Sequence, residues 1–266
     1  MPQGAGSTDG AAGPRLSSTL QQGIRVLRAL ASADDPLLGV NEIARRIGTH
    51  KSTVSRLVAT FEHEGLVEKE PLSGRYRLAA GVVALAWPLL ANSDVRNAAR
   101  PYLEELAATA RETAGLAVWN QEEAVNLDQA LGPGAVMHMA TVGARLEPHS
   151  TASGKVFLAH TTDAERERIL SRKLLRKTAR TIVEPGLLLQ DLAKVRERGY
   201  AVNDGEDTDE ATGIAAPIYG LHGTLDAVVS VTAPRFRAPA ERIAELGQMV
   251  TRAATEISKR LGSGNH

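Results

Sequence analysis

The chain contains no cysteine. That excludes a disulfide framework, a thiolate metal site and a cysteine nucleophile, and it fits a reducing compartment such as the cytoplasm. Aromatic residues make up only 3%, so any core must be built from Leu, Val, Ile and Ala. No apolar run reaches the length of a membrane span, so no membrane partner is expected. The N-terminal stretch "MPQGAGSTDGAAGPRLSS" lacks the apolar segment of a signal peptide. Its Gly, Ala and Ser content reads as a disordered tail over residues 1–17. There is also no excess charge of either sign, because 31 basic residues balance 31 acidic ones. A dedicated nucleic-acid-binding domain is often basic, so only the local placement of charge can argue for such a role here.

What is present is enough for a sizeable fold: 266 residues, 43% of them hydrophobic, which allows one large domain or two smaller ones. Helical spacing starts at Leu20, Ile24, Leu27 and Leu30. After a break at "SADDPLLG", Val40, Ile43, Ala44 and Ile47 mark one face of a short helix. Gly48 ends it at a position where positive φ is needed, and Thr49 is placed to cap the next helix. That helix carries Val54, Leu57, Val58 and Phe61 on its apolar side. Two strand-like pieces, Leu66–Lys69 and Arg75–Leu78, flank a turn containing Pro71, Ser73 and Gly74. The apolar connector "AAGVVALAWPLLANSD" reads as a linker helix over 81–93, which Pro88 should kink or divide.

The remainder mixes elements. A helix is expected over "VRNAARPYLEELAATARE". Strand candidates are "GLAVWN", "EAVNLDQAL", "AVMHMATV", "YAVND", "IAAPIYG" and "LDAVVSVTA", the last with clean alternation. Helices are expected from Ala152, from Thr162 with a capping box to Glu165, from Leu188, and over a long terminal stretch from Ile243 to Leu261. The fold class that follows is α/β: helix, helix, tight turn, helix and hairpin over 18–80, a linker helix, and a sensor-like domain of several strands with helices before, between and after them.

The helix-turn-helix reading can be tested on the face opposite the apolar stripe of the third helix. At 100° per residue that face centres on Ser52, Arg56 and Ala59, with Thr53, Ser55 and Thr60 beside it. Small polar groups around one guanidinium suit entry into a major groove. Lys51 and Ser52 lie in the first turn, where side chains and free amides can hold a phosphate. Arg46, Thr49 and His50 surround the turn, while Arg75 and Arg77 stand in the hairpin as a possible wing. The plain alternative is a solvated basic helical hairpin.

At "KSTVSRLVATFEHEGLVEKEPLSGRYRLAAG" the chain resembles the DNA-binding domain of the IclR family of bacterial transcription regulators. Lys51, Ser52, Thr53, Arg56, Leu57, Gly65, Leu66, Val67, Tyr76 and Leu78 match that family's pattern. "HSTASGKVFLAH", "RKTARTIV", "VRERGYAVNDGED" and "GIAAPIYGLHGTLDAVVSVTAP" follow in the family's order, so the resemblance covers roughly residues 18–262. The stretch "DGEDTDEATG" departs from it in length and "EPHSTASGK" in polarity. The resemblance implies a regulator, with repression as the expected sign, that binds pseudo-palindromic operator DNA as a homodimer or dimer of dimers. It also implies an α+β fold with a winged helix-turn-helix unit over 18–80 and an effector-binding domain over 94–262 built on a central antiparallel sheet, with a small effector, such as a carboxylate, in that second domain. Carried over, the effector positions are Met137, Leu146, Ala152, Ser153, Gly154, Asn203, Asp204, Gly213, Ser230 and Thr232.

Other chemistry finds little support. Gly154–Lys155 is not a phosphate loop, because His149 and Val156 stand where glycine and Ser/Thr are required. Ser150 and Ser153 near His149 lack the glycine-x-serine-x-glycine elbow of a hydrolase. "NDGEDTDE" lacks the residue placement of a calcium loop and reads as a solvated acidic loop. His138 and His149 are too far apart for a one-helix metal pair. Trp119, Met137 and Met139 could line an apolar pocket, although at strand spacing such residues are more often plain core. No catalytic set, metal or cofactor is expected.

Overall fold

The computed structural model describes residues 16–31, 35, 37–91, 93–135 and 141–263, with backbone alone at 89–91. Most of the expected N-terminal tail lies outside the described residues. The chain divides into two compact units, Met1–Ala91 and Asn92–His266.

The first unit contains α1 (Ser18–Ala31), α2 (Val40–Ile47), α3 (Lys51–His63), β1 (Val67–Lys69), β2 (Tyr76–Leu78) and α4 (Gly81–Ala91). Its core joins Val26 and Leu30 of α1, Ile43 and Ala44 of α2, and Val54 and Val58 of α3. Within each of these helices the buried pair is adjacent or one turn apart, so one face turns inward. Gly23 lets α1 approach α3: a Cβ there would lie 3.0 Å from the ring of Phe61. The strands pair antiparallel, Val67 opposite Leu78. Leu38 bonds Tyr76 in both directions, at 2.9 and 2.8 Å, which ties the hairpin to the chain before α2.

Gly48 closes α2 with φ 66° and donates to the Ala44 carbonyl. The next cap differs from the expectation. The residue preceding α3 is His50, in extended geometry and without a side-chain cap bond, rather than Thr49. Gly48 and Thr49 both serve the turn, which leaves Thr49 one residue too early for its hydroxyl to cap the helix. Pro88 does not divide the linker: α4 runs unbroken from Gly81 to Ala91 with the proline inside it. A proline inside a helix removes one N–H bond and crowds the carbonyl four residues earlier, a local cost that does not end the helix here. The interruption falls instead before α5, whose cap Ser93 accepts from the Arg96 amide.

The second unit contains α5 (Asp94–Ala110), β3 (Thr113–Asn120), β4 (Glu123–Leu131), β5 (Arg145–Leu146), α6 (Ala152–His160), α7 (Asp163–Leu170), α8 (Pro185–Arg198), β6 (Ala201–Asp204), β7 (Ala211–Tyr219), β8 (Leu225–Pro234) and α9 (Ala240–Arg260). Its sheet is antiparallel throughout, in the order β5-β4-β3-β8-β7-β6. Helices α5 and α9 pack together and against strands β3, β4, β7 and β8, while α6 and α8 pack together, α6 against β6, β7 and β8 and α8 against β6. Coverage on both faces explains why Val228 and Val229, on opposite sides of β8, are both fully buried.

One further expectation falls mostly outside the described residues, and another is corrected. Most of "AVMHMATV", including Met137, His138 and Met139, lies outside the described residues, and Thr141 and Val142 are not strand. Gly143, at φ 84°, and a bond from the Ala144 amide to the Thr141 carbonyl turn the chain into the short β5. The box at Thr162 is half made. Its hydroxyl accepts from the Glu165 amide, but the Glu165 carboxylate is taken by Trp119 Nε1 and the Thr161 hydroxyl. Trp119 packs on Phe157, ring centroids 5.1 Å apart.

Candidate nucleic-acid interface and ligand cavity

Burial of Val54 and Val58 sets the rotation of α3. Lys51, Ser52, Ser55, Arg56, Ala59 and Thr60 are then exposed, and Thr53 is half-buried. The Thr60 hydroxyl donates to the Arg56 carbonyl and so stays against its own helix. At the turn, Arg46 and His50 are exposed and Thr49 is half-buried. Arg45, Arg46, Lys51 and Arg56 form no salt bridge with any described residue. A cluster of free cations around small hydroxyl groups is the surface that a polyanion requires.

The two wing arginines are placed differently. Arg75 bonds Asp35 at 2.8 Å and Glu42 at 2.9 Å. The same Glu42 oxygen accepts the Gly39 amide at 3.0 Å. The Gly39 amide, with Arg75 behind it, holds the Glu42 carboxyl below the ordinary carboxylate value. Arg77 bonds Glu68 across the hairpin at 2.5 Å. Glu42, the acid beside the basic turn, therefore fastens the hairpin to α2 and makes its salt bridge with Arg75 rather than with the exposed cations of the turn.

In the second unit a cavity of about 220 Å³ opens where α6 begins above the sheet. Seven of the expected effector residues line it: Leu146 from β5, Ala152 and Ser153 from α6, Asn203 from β6, Gly213 from β7, and Ser230 and Thr232 from β8. Ser230 and Thr232 share one face because they are two residues apart on a strand. Gly115 makes room beside Ser230, since a Cβ there would lie 3.0 Å from the Ser230 hydroxyl.

Of the other three, two are not brought to it and one is not described. Met137 is outside the described residues. Gly154 serves packing, because a Cβ there would lie 2.4 Å from the Glu147 carbonyl oxygen. Asp204 pairs with Arg180 and Arg235.

Sequence reasoning missed Asn126, Thr151, Asp207, Thr208 and Ala211, which also line the cavity. One signal was available for Asn126, a polar residue between Val125 and Leu127 in a strand. It is buried and donates to the Thr141 carbonyl. Thr151 caps α6, accepting from the Gly154 amide at 3.1 Å and donating to the Glu147 carbonyl at 2.7 Å.

The acidic stretch after β6 is a solvated loop only in its second half, where Thr208, Asp209 and Glu210 are exposed; the half before it is buried or half-buried, and bonded. Asn203 accepts the amides of Glu206 and Asp207. Lys155, fully buried on α6, donates to Glu206 at 2.5 Å, to Asp191 at 2.8 Å and to the Val202 carbonyl at 3.3 Å. Burial pushes the Glu206 carboxyl above the ordinary carboxylate value, against the pull of Lys155. Asp207 accepts from Ser150 at 3.0 Å and Lys177 at 2.6 Å. The loop that carries Asp207 and Thr208 to the cavity is thus clamped from beneath by one lysine and from the side by another.

Hydroxyls, amides and the first turn of α6 give this lining the means to bind. His149 is turned to the Leu175 carbonyl at 2.9 Å, away from any service as a base to Ser153. Among the described residues no group of three or more His, Asp or Glu could hold a metal ion.

Comparison with known proteins covers both units. The family model described as "IclR helix-turn-helix domain" matches residues 19–71, and that described as "Bacterial transcriptional regulator IclR C-terminal" matches residues 88–259. The chain is 30% identical over 247 residues to the transcriptional repressor IclR of Escherichia coli K12, covering 92% of this chain and 90% of that one. It is 32% identical over 255 residues to the glycerol operon regulatory protein of Streptomyces griseus, covering 94% and 98%. Among solved structures, an IclR homolog from Microbacterium hydrocarbonoxydans complexed with 4-hydroxybenzoate superposes with a TM-score of 0.75 at 30% identity, covering 92% of this chain and 99% of that one. An IclR transcriptional regulator from Alicyclobacillus acidocaldarius gives 0.81 at 26% identity, covering 93% and 100%.

Proposed function

The chain belongs to the IclR family of bacterial transcriptional regulators, and we propose from that premise that it is an operator-binding repressor controlled by a small carboxylate. The family consists of DNA-binding regulators and not of enzymes. The observation that carries the DNA reading is the exposed face of α3, where Lys51 and Arg56 stand unpaired among Ser52, Thr53 and Ser55. Arg56 reaches base edges, Lys51 and Ser52 hold a phosphate at the helix start, and Arg46, Thr49 and His50 flank the backbone. Arg75 works through the fold by fixing the wing, and Arg77 supplies a weaker phosphate contact from its exposed pair.

The effector lies in the cavity at the start of α6. The first-turn amides of that helix and the hydroxyls of Ser153, Ser230 and Thr232 suit a carboxylate. The volume of about 220 Å³ favours a small molecule. The 4-hydroxybenzoate complex of the Microbacterium homolog supports the same chemical class. Leu146, Ala152, Asn203 and Gly213 shape the cavity.

The division of labour is a DNA-binding unit over 18–80, a linker helix over 81–93 and an effector domain over 94–262. The assembly is a homodimer or a dimer of dimers. Exposed apolar side chains on α1 (Leu20, Ile24) and α4 (Val83, Leu85, Trp87) support self-association. A two-fold dimer presents its α3 helices about 34 Å apart to a pseudo-palindrome. The effector acts by binding one arrangement of the DNA-binding units more tightly than the other. The compartment is the cytoplasm, where the operator is. No helix among the described residues is long and apolar enough to cross a membrane.

The test is fluorescence anisotropy of the full chain on DNA from upstream of its own gene, against scrambled DNA, across a salt series and with benzoate-type carboxylates added. Selective binding that weakens with salt and shifts with carboxylate is expected. Equal, salt-insensitive binding to both DNAs sinks the reading.

A further inference from the structure

A second cavity lies at the other end of α6, where the sheet is incomplete. Strand β6 pairs with β7 only from Thr212 to Ala215, whereas β7 continues to Tyr219 along β8. From Ala216 to Tyr219, β7 is therefore an open sheet edge. A cavity of about 460 Å³ occupies the gap, twice the volume of the first and sharing no lining residue with it. The ends of α6 and α8 and one face of α9 complete its walls.

An open edge ordinarily invites another strand, but this one is blunted. Pro217 has no N–H to offer, and the Tyr219 N–H is taken by the Ser258 hydroxyl at 2.9 Å. An extended peptide finds no ladder here, while a compact molecule finds a furnished site. Arg196 and Lys259 line it; Lys259 is paired with Glu256 at 2.9 Å, which leaves Arg196 as the cation for a ligand. Arg196 gives one Nη to the Ala159 carbonyl at 2.9 Å and has no acidic partner among the described residues. The Tyr219 hydroxyl makes no hydrogen bond among the described residues, and burial raises its pKa, so it remains a donor. His160 donates Nδ1–H to the Val156 carbonyl and stands edge-on to the Tyr219 ring, centroids 6.1 Å apart. Ala216, Pro217 and Ala254 add apolar wall.

We propose that this cavity is a second ligand site, for a small organic carboxylate with an apolar body. The guanidinium of Arg196 forks onto the carboxylate, the Tyr219 hydroxyl donates to it, and the body lies against Pro217, Ala254 and the Tyr219 ring. Helix α6, about 13 Å long at 1.5 Å per residue, runs from the first cavity at Thr151 to the second at His160. The site stands independently of the effector reading of the first cavity.

The experiment is a ¹⁹F NMR titration of the full chain with 4-fluorobenzoate. The wild type is expected to show a saturable site that Arg196→Gln weakens about tenfold or more, the usual loss for a charge-assisted bond. Arg196→Lys should restore part of it, and Tyr219→Phe should weaken it severalfold. Ser230→Leu, which fills the first cavity, should leave the Arg196-dependent site intact. Arg196 is exposed and anchored by one bond, so its variants fold and decide the matter even where Ser230→Leu does not. Identical titrations of wild type and Arg196→Gln, or no saturable binding in the wild type, overturn the proposal.

Discussion

The basic turn of the first unit and the clamped sheet of the second treat their cations in opposite ways. In the second unit the cations beneath and beside the sheet are answered by acids: Lys155 by Asp191 and Glu206, Lys177 by Asp207, Arg100 by Asp128, Arg237 by Glu112. In the first, Arg45, Arg46, Lys51 and Arg56 are left without salt bridges, and the acid nearest them is turned to the wing. A net charge of zero is the sum of these two habits. Paired charge builds and braces a cavity, and unpaired charge waits for a partner. The whole-chain total therefore argued weakly against DNA binding for a reason that has no bearing on α3.

The comparison can be broken most forcefully at Lys155. Lys155→Ala leaves Asp191 and Glu206 without their cation inside the second unit. It should cost about 3–5 kcal/mol, the range for breaking a buried pair, read as a lowered urea midpoint. If the midpoint is unmoved, the buried clamp is not a source of stability. Removing an unpaired cation should do the reverse. Arg56→Gln should leave the urea midpoint in place and weaken operator binding on the order of ten- to a hundredfold, with a shallower salt slope. A change in folding stability rather than affinity would place Arg56 in the fold and not at the interface.

A smaller effect is expected at the cap of α6. Thr151→Ala should cost about 1 kcal/mol and weaken carboxylate binding in the first cavity, measurable by calorimetry alongside the melt. The smallest concerns Glu42. Its carboxyl lies below the ordinary value of 4.5 in the folded state. Its contribution is therefore complete above about pH 4.5 and lost as pH falls through the lower folded value. Protection of the Leu38 and Tyr76 amides from exchange should fall over that acid range in the wild type. In Glu42→Gln the fall should be absent.

The helix-turn-helix was legible because its signals are local. Apolar spacing at Val54 and Val58 fixes which side of α3 faces water, and Gly48 marks a turn that only a residue tolerant of positive φ makes cheaply. The cavity was legible only in part, and mostly by resemblance. Ser230 and Thr232 share a face by alternation alone, but nothing local says that Asn126, on β4, stands near them. The first half of the acidic stretch after β6, with Glu206 and Asp207, was misread because a run of acids usually means solvent. The warning was elsewhere, in the lysine of "ASGKVFLAH", which sits within an otherwise buried helix and needs a counter-charge.

The sequence by itself determined the elements with strong periodicity, the sharp turn at Gly48, and the basic face opposite the apolar stripe of α3. These follow from backbone geometry and from side chains within a few residues of one another. The tertiary structure decided which charges are spent and which are free. It turned Arg75 and Glu42 into a fastening for the wing, brought Lys155 to Glu206 across 51 residues, and left one edge of β7 unpaired beyond Ala215, where β6 has ended. Ion pairs and sheet edges depend on distances between segments remote along the chain, and such distances exist only once the core has closed.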